Sequence, residues 1–247
     1  MLTQSPTIQC ASQCLLLTIT IILHDNNVNL YLCNITQAYV QSTTALKCNF
    51  FVQLPQELRL DRTQILKIMR PLYGVPEAGN HWFNTYHHYH IKWLGMEQST
   101  YDPCLLTTCT AVDSRPFGLV GLQTDDTLTL ANDAFAHIKE DKLQKAKFTT
   151  KPHEQLIYEH PLKFNGCMIA LTGLNNITLT QTCQCKNLCI ANPSKSTDIV
   201  SSRGMVWKDV DLRGQYIVIR VRGAYIAITC QPEASFDLSY AAQVTDP

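Results

Sequence analysis

The chain's 247 residues give room for one large domain or two small ones at roughly 100–200 residues each, which excludes a peptide or a long repeat array. Twenty Lys and Arg balance twenty Asp and Glu, and only 16% of residues are charged against about 25% in ordinary soluble domains, a poor electrostatic footprint for a nucleic-acid binder. Hydrophobic residues at 45% and aromatics at 9% exclude a disordered chain.

The longest apolar run, residues 14–23, falls short of the roughly 20 residues a bilayer-spanning helix needs and meets His24-Asp25-Asn26-Asn27 at once. Residues 13–23 therefore read as a buried helix with no membrane role. Val28, Leu30 and Leu32 then alternate with Asn29, Tyr31 and Cys33, the period of a half-buried strand that ends at Asn34. Strand-like pieces at 49–54 and 65–69, separated by a break that starts at Pro55-Gln56-Glu57-Leu58, read as a hairpin plus connection. From Pro76 to about Trp93 aromatics and histidines recur at helical spacing.

Residues 117–123 and 127–130 are two apolar runs flanking Asp125-Asp126, which predicts a central hairpin with acidic residues at its tip. Asn132-Asp133 caps an amphipathic helix reaching Phe148, with Phe135, Ile138, Leu143 and Ala146 on its apolar face. Strand, helix, hairpin and helix in this order describe an α+β domain with helices on one side of a mainly antiparallel sheet. Beyond Lys151 the patterns weaken, with apolar runs at 163–170 and 216–229. A composition shift near 173 divides residues 1–173 from 174–247.

Eleven cysteines are an odd number, sit below the roughly 8–10% that marks a disulfide scaffold, and follow no secretory signal. They read as reduced thiols of an intracellular protein, cytoplasmic or nuclear. The triplets Asn34-Ile35-Thr36 and Asn176-Ile177-Thr178 then carry little weight as glycosylation sites. His81, His87, His88 and His90 share helical faces but have no cysteine nearby at a recognised zinc spacing, and Cys183, Cys185 and Cys189 lack a paired second half. Neither group is read as a metal site.

An Asp-Asp pair at a hairpin tip can present carboxylate oxygens to hard divalent cations, although a solvated acidic turn has the same sequence. The surrounding blocks decide between them. They are Asn34-Ile35-Thr36-Gln37-Ala38-Tyr39-Val40-Gln41-Ser42, Pro71-Leu72-Tyr73-Gly74-Val75-Pro76-Glu77-Ala78-Gly79-Asn80-His81-Trp82 and Ser99-Thr100-Tyr101-Asp102-Pro103-Cys104. Leu122-Gln123-Thr124-Asp125-Asp126, Lys163-Phe164-Asn165-Gly166, Arg222-Gly223-Ala224-Tyr225-Ile226-Ala227 and Gln231-Pro232-Glu233-Ala234-Ser235-Phe236-Asp237-Leu238 follow in order. Across almost its whole length the chain resembles the reverse transcriptase of copia-type long-terminal-repeat retrotransposons, especially fungal-looking members.

The resemblance implies a reverse-transcriptase palm with partial fingers over 1–173 and a thumb and connection remnant over 174–247. The chain would then begin after the fingers strands and stop before a ribonuclease H domain, as part of a larger polyprotein. In such enzymes two Mg2+ or Mn2+ ions bridge an aspartate after the first palm strand and the hairpin pair, activating the primer 3′-hydroxyl and holding the leaving group. The resemblance assigns Asp125 and Asp126 to that cluster and puts Asn34 where the first aspartate belongs. Tyr39 corresponds to the aromatic steric gate beneath the incoming sugar, Gln37 to a nucleotide-binding position, and Lys151 to the lysine that protonates the pyrophosphate. The partners of the ancestral enzyme would be an RNA or DNA primer-template and deoxynucleotides.

Asparagine is nearly isosteric with aspartate but neutral, so the expected cluster loses a charge where two dications must be held. The expectation is a polymerase fold with little or no polymerase activity. A second expectation concerns Cys10, Cys14, Cys33, Cys48 and Gln53 where relatives would carry arginine, and Leu54 where they would carry proline. Each change, with aspartate to Asn34, is one C-to-T transition on one strand or the other. The alternatives are a non-catalytic remnant that binds nucleic acid or a protein, and a chain too eroded to accumulate as a stable protein.

Overall fold

The structure is a computed structural model that describes residues 5–53, 57, 65–108, 116–173, 176–186, 188–189, 197–200 and 206–243. Leu54, Pro55, Gln56 and Leu58 of the predicted connection lie outside the described residues. The chain forms two compact units, Met1–Asn165 with Leu171–Ile177, and Gly166–Ala170 with Thr178–Pro247. The division expected near 173 is therefore not a single cut, because residues 166–170 belong to the second unit and 171–177 to the first.

The first unit opens with helix α1, Cys10–Ile22, three residues earlier than the helix start expected at residue 13. Its threonines fit because Thr18 and Thr20 hydroxyls donate back to the carbonyls of Cys14 and Leu16 at 2.9 and 2.8 Å. Asn27, at φ 55°, turns the chain into strand β1, Val28–Asn34. Next come the hairpin of β2, Phe50–Gln53, and β3, Ile65–Ile68, and then helix α2, Ala78–Leu94. Gly95 closes α2 with φ 64°, a left-handed cap that glycine adopts without strain.

Strands β4, Glu97–Gln98, and β5, Leu105–Thr107, lead to β6, Gly118–Gln123, and β7, Asp126–Asn132. Helix α3, Asp133–Lys145, starts where Asn132 Oδ1 accepts the Phe135 N–H at 3.0 Å. Strand β8 is Glu154–Gln155, and the sheet order is β4-β5-β6-β7-β1-β8 with every pair antiparallel. Strands β9, Leu162–Phe164, β10, Cys167–Gly173, and β11, Asn176–Thr180, form a second sheet in the order β11-β10-β9.

Helices cover both faces of the six-stranded sheet, which corrects the one-sided arrangement read from the sequence. Gly118 and Gly121 are the observations that decide it, since residues three apart on a strand point to opposite faces. A Cβ on Gly121 would meet Ile8 and Leu16 side-chain atoms at 2.4 and 3.0 Å, so α1 lies on that face. A Cβ on Gly118 would meet the Phe135 ring at 2.4 Å, so α3 lies on the other. The physical reason is β7, whose residues 127–131 are all buried and need cover on both sides.

Helix α3 also buries a different stripe from the one expected. Phe135, Lys139 and Leu143 face inward at strict four-residue spacing, while Ile138 is 37% exposed and Ala146 lies past the helix end on the surface. The predicted extension to Phe148 ends instead at Lys145, and Phe148 packs its ring edge-on to Trp82, Tyr86 and Tyr89 of α2.

The second unit contains the single turn α4, Thr182–Cys185, the antiparallel pair β12, Thr197–Val200, and β13, Val206–Val210, and the helices α5, Leu212–Thr229, and α6, Ser235–Ala242. Asp211 caps α5 by accepting the Gly214 N–H at 2.8 Å. Arg220 donates to the Ala242 carbonyl at 3.1 Å and Tyr216 to that of Ala241, which ties α5 to α6. Val221, Ile228, Phe236 and Tyr240 remain exposed on these helices. Among the described residues no helix is long and apolar enough to cross a membrane.

Candidate functional site

The site is built where β1 ends. Antiparallel register places Asn34 directly opposite Asp126, the first residue of β7, while Thr124 and Asp125 form the tight turn from β6. Backbone hydrogen bonds fix the meeting of three segments. The Ile35 N–H donates to the Asp125 carbonyl at 2.8 Å, Thr36 N–H to Thr149 at 2.9 Å, and Lys151 N–H to the Asn34 carbonyl at 2.9 Å.

At the centre, the Asn34 amide Nδ2 donates to Asp126 Oδ1 at 2.7 Å. Burial pushes the Asp126 carboxyl above its ordinary range, and the charges of Asp125 and Glu154 push the same way. The Asn34 hydrogen bond and the Lys151 ammonium pull against them. Asn34, Asp125 and Asp126 are all half-buried, whereas the Lys151 side chain is exposed. The four sequence-assigned residues Asn34, Asp125, Asp126 and Lys151 thus come to one place.

Gln37 and Tyr39 lie on the segment that follows. Gln37 adopts φ 53° as the entry to a one-turn helix, Ala38–Gln41, and is exposed. Tyr39 is half-buried and stacks on Tyr73 with ring centroids 4.5 Å apart. Burial raises the Tyr73 hydroxyl pKa, and the charge of Asp125 raises it further against backbone hydrogen bonds from Ala38 and Tyr39. Tyr73 therefore stacks on Tyr39 and feels the charge of the acidic turn, a link the sequence pattern does not single out.

Two further supports escaped the sequence reading. Trp82, wholly buried on α2, donates its indole N–H to the Thr124 carbonyl at 2.7 Å and so holds the acidic turn from behind. Thr124 needs that hold, because a β-branched residue at φ 53° is strained. Asp102 is buried and accepts the N–H groups of Gln9 at 2.8 Å and Cys104 at 2.9 Å, a structural clasp for the start of α1. Trp82 and Asp102 both lie inside the sequence blocks that carry the resemblance, where their aromatic and acidic character is the available signal.

Two of the helix histidines do structural work. His81 Nδ1 meets Thr44 Oγ1 at 2.6 Å, and His90, wholly buried, donates from Nδ1 to the Tyr86 carbonyl at 2.9 Å. Among the arginine-for-cysteine positions, Cys33 does not fit the expectation. It is 1% exposed and shares its burial with the Lys139 ammonium, so an arginine there would add a second buried cation. Cys14, Cys48 and Gln53 are exposed and Cys10 is half-buried.

Hard cations take oxygen ligands, yet Asn34 turns an N–H toward Asp126 and engages one of its carboxylate oxygens. Among the described residues no three His, Cys, Asp or Glu side chains gather as a metal-holding group. Compared with known protein families, curated proteins and solved structures, the chain finds no match to a family model, a curated protein or a solved structure.

Proposed function

We propose that the chain derives from a copia-type retrotransposon polyprotein, that its first unit is a reverse-transcriptase palm, and that nucleotidyl transfer to a primer 3′-hydroxyl no longer occurs on it. The observation that carries this reading is the Asn34–Asp126 hydrogen bond of 2.7 Å. An aspartate at position 34 would face Asp126 as a second carboxylate and the two would repel unless a cation lay between them. The amide removes both the repulsion and the demand for a cation. The order of β1, α2, the β6–β7 hairpin and α3 supports the reading, as does the placing of Asp125, Asp126, Lys151 and the Tyr39 segment around one strand end.

Loss of one preorganised electrostatic group costs about 100- to 1000-fold in rate, and a shared ligand for two ions costs at least that. Zero formal charge further weakens any grip on a phosphate backbone. The test is primer extension on an RNA template with Mg2+ and then Mn2+, using the purified chain, Asn34→Asp, and Asn34→Asp combined with Asp125→Asn. The expected result is no extension by the unmodified chain, extension by Asn34→Asp, and its loss in the double variant. Extension by the unmodified chain would overturn the reading.

A further inference from the structure

We propose that Cys167 and Cys230 of the second unit are a redox pair that a low-molecular-weight disulfide converts into an intrachain disulfide. Their sulfurs stand 3.9 Å apart although the residues are 63 positions apart in the chain. A disulfide would bring them to about 2.05 Å.

The two backbones are held at the contact independently. Cys167 is the first residue of β10, entered through Gly166 at φ 71°. Cys230 is the C-terminal cap of α5, where its N–H donates to the Ile226 carbonyl at 2.8 Å. A second contact keeps the helix end beside the strand start, since a Cβ on Gly166 would lie 3.1 Å from the Tyr225 hydroxyl. The approach of the thiols is thus a property of the packing between strand and helix.

The thiols differ in access, which orders the chemistry. Cys167 is wholly buried and Cys230 half-buried. The Cys230 thiolate attacks one sulfur of oxidised glutathione, forming a mixed disulfide and expelling one glutathione thiolate. The Cys167 thiol gives its proton to solvent, and its thiolate then attacks the Cys230 sulfur and expels the second glutathione. Two protein thiols are oxidised and one glutathione disulfide is reduced to two thiols, so electrons balance. The new bond closes residues 167–230 into a loop long enough for a cross-link to restrict the unfolded chain strongly.

The test uses the full chain incubated with oxidised glutathione near pH 8, alkylated in denaturant and digested without reduction for mass spectrometry. The expected result is a Cys167 peptide joined to a Cys230 peptide, lighter than their sum by two hydrogens. The unfolding midpoint of the oxidised chain is expected to rise by on the order of 10 °C. Cys167→Ser is expected to stop at glutathione on Cys230. If that variant fails to fold, the unmodified chain still decides. Alkylated Cys167 after oxidation, or its linkage to Cys183, Cys185 or Cys189, would overturn the proposal.

Discussion

Strands β1 and β7 have an acid at one face and a base packed on the other, and the two are accommodated in different ways. Asp126 sits at the strand end, half-buried, with the Asn34 amide at 2.7 Å and the Lys151 ammonium near enough to favour its charge. Lys139 comes from α3 to the middle of the opposite face, is 1% exposed, and donates to Thr129 Oγ1 at 2.5 Å. Among the described residues neither takes part in an ion pair. At the edge, burial also raises the acid's pKa, but a neutral donor and a nearby cation act against it. In mid-sheet the charge itself becomes costly, and burial lowers the Lys139 pKa to about 8.

Trp82 links the Lys139 side to the acidic turn, since it packs in the aromatic cluster on the α2 side and bonds the turn at Thr124. Trp82→Ala is expected to destabilise the first unit by about 3–5 kcal/mol in urea unfolding. A loss below about 1 kcal/mol would mean the turn stands without it.

Lys139→Met sharpens the contrast. The folded pKa of about 8 lies below the ordinary 10.5, so the unfolded chain holds the extra proton across that interval and stability rises with pH from about 8 to 10.5. The rise is roughly 3 kcal/mol. The variant is expected to lose it and to be more stable than the unmodified chain at neutral pH, as read from urea midpoints on both sides of the interval. An equal rise in the variant would assign it to other groups.

Acid probes the same buried face. Burial, and then the charge of Lys139, depresses His90 to about 3 and His153 to about 4. As pH falls below the ordinary 6.5, the unfolded chain takes protons the native state refuses, so stability drops. For His90 the drop is about 2 kcal/mol by pH 5, and His90→Gln is expected to flatten it in the same unfolding series. The smallest effect is expected at the edge: Asn34→Ala removes one half-exposed donor and costs about 1 kcal/mol.

The acidic hairpin, the strand ending at Asn34 and the helix holding Trp82 were legible in the sequence because period and turn residues are local signals. The burial of Lys139 was not. Its charge argued for the surface, and choosing Ile138 for the inner stripe of α3 followed hydrophobicity over the four-residue spacing that Phe135, Lys139 and Leu143 obey. Apolar residues on both sides of β7 already required two covering layers, and the helix that supplies the second is α1. That Asn34 bonds Asp126 depends on cross-strand register, which no local pattern contains.

The claim that the Asn34 amide occupies the acid a cation would need is tested most directly by calorimetric titration of Mn2+ into the unmodified chain and into Asn34→Asp. The account requires no saturable binding by the unmodified chain through the millimolar range and saturable binding by the variant. Saturable binding by the unmodified chain that disappears in Asp125→Asn would contradict it.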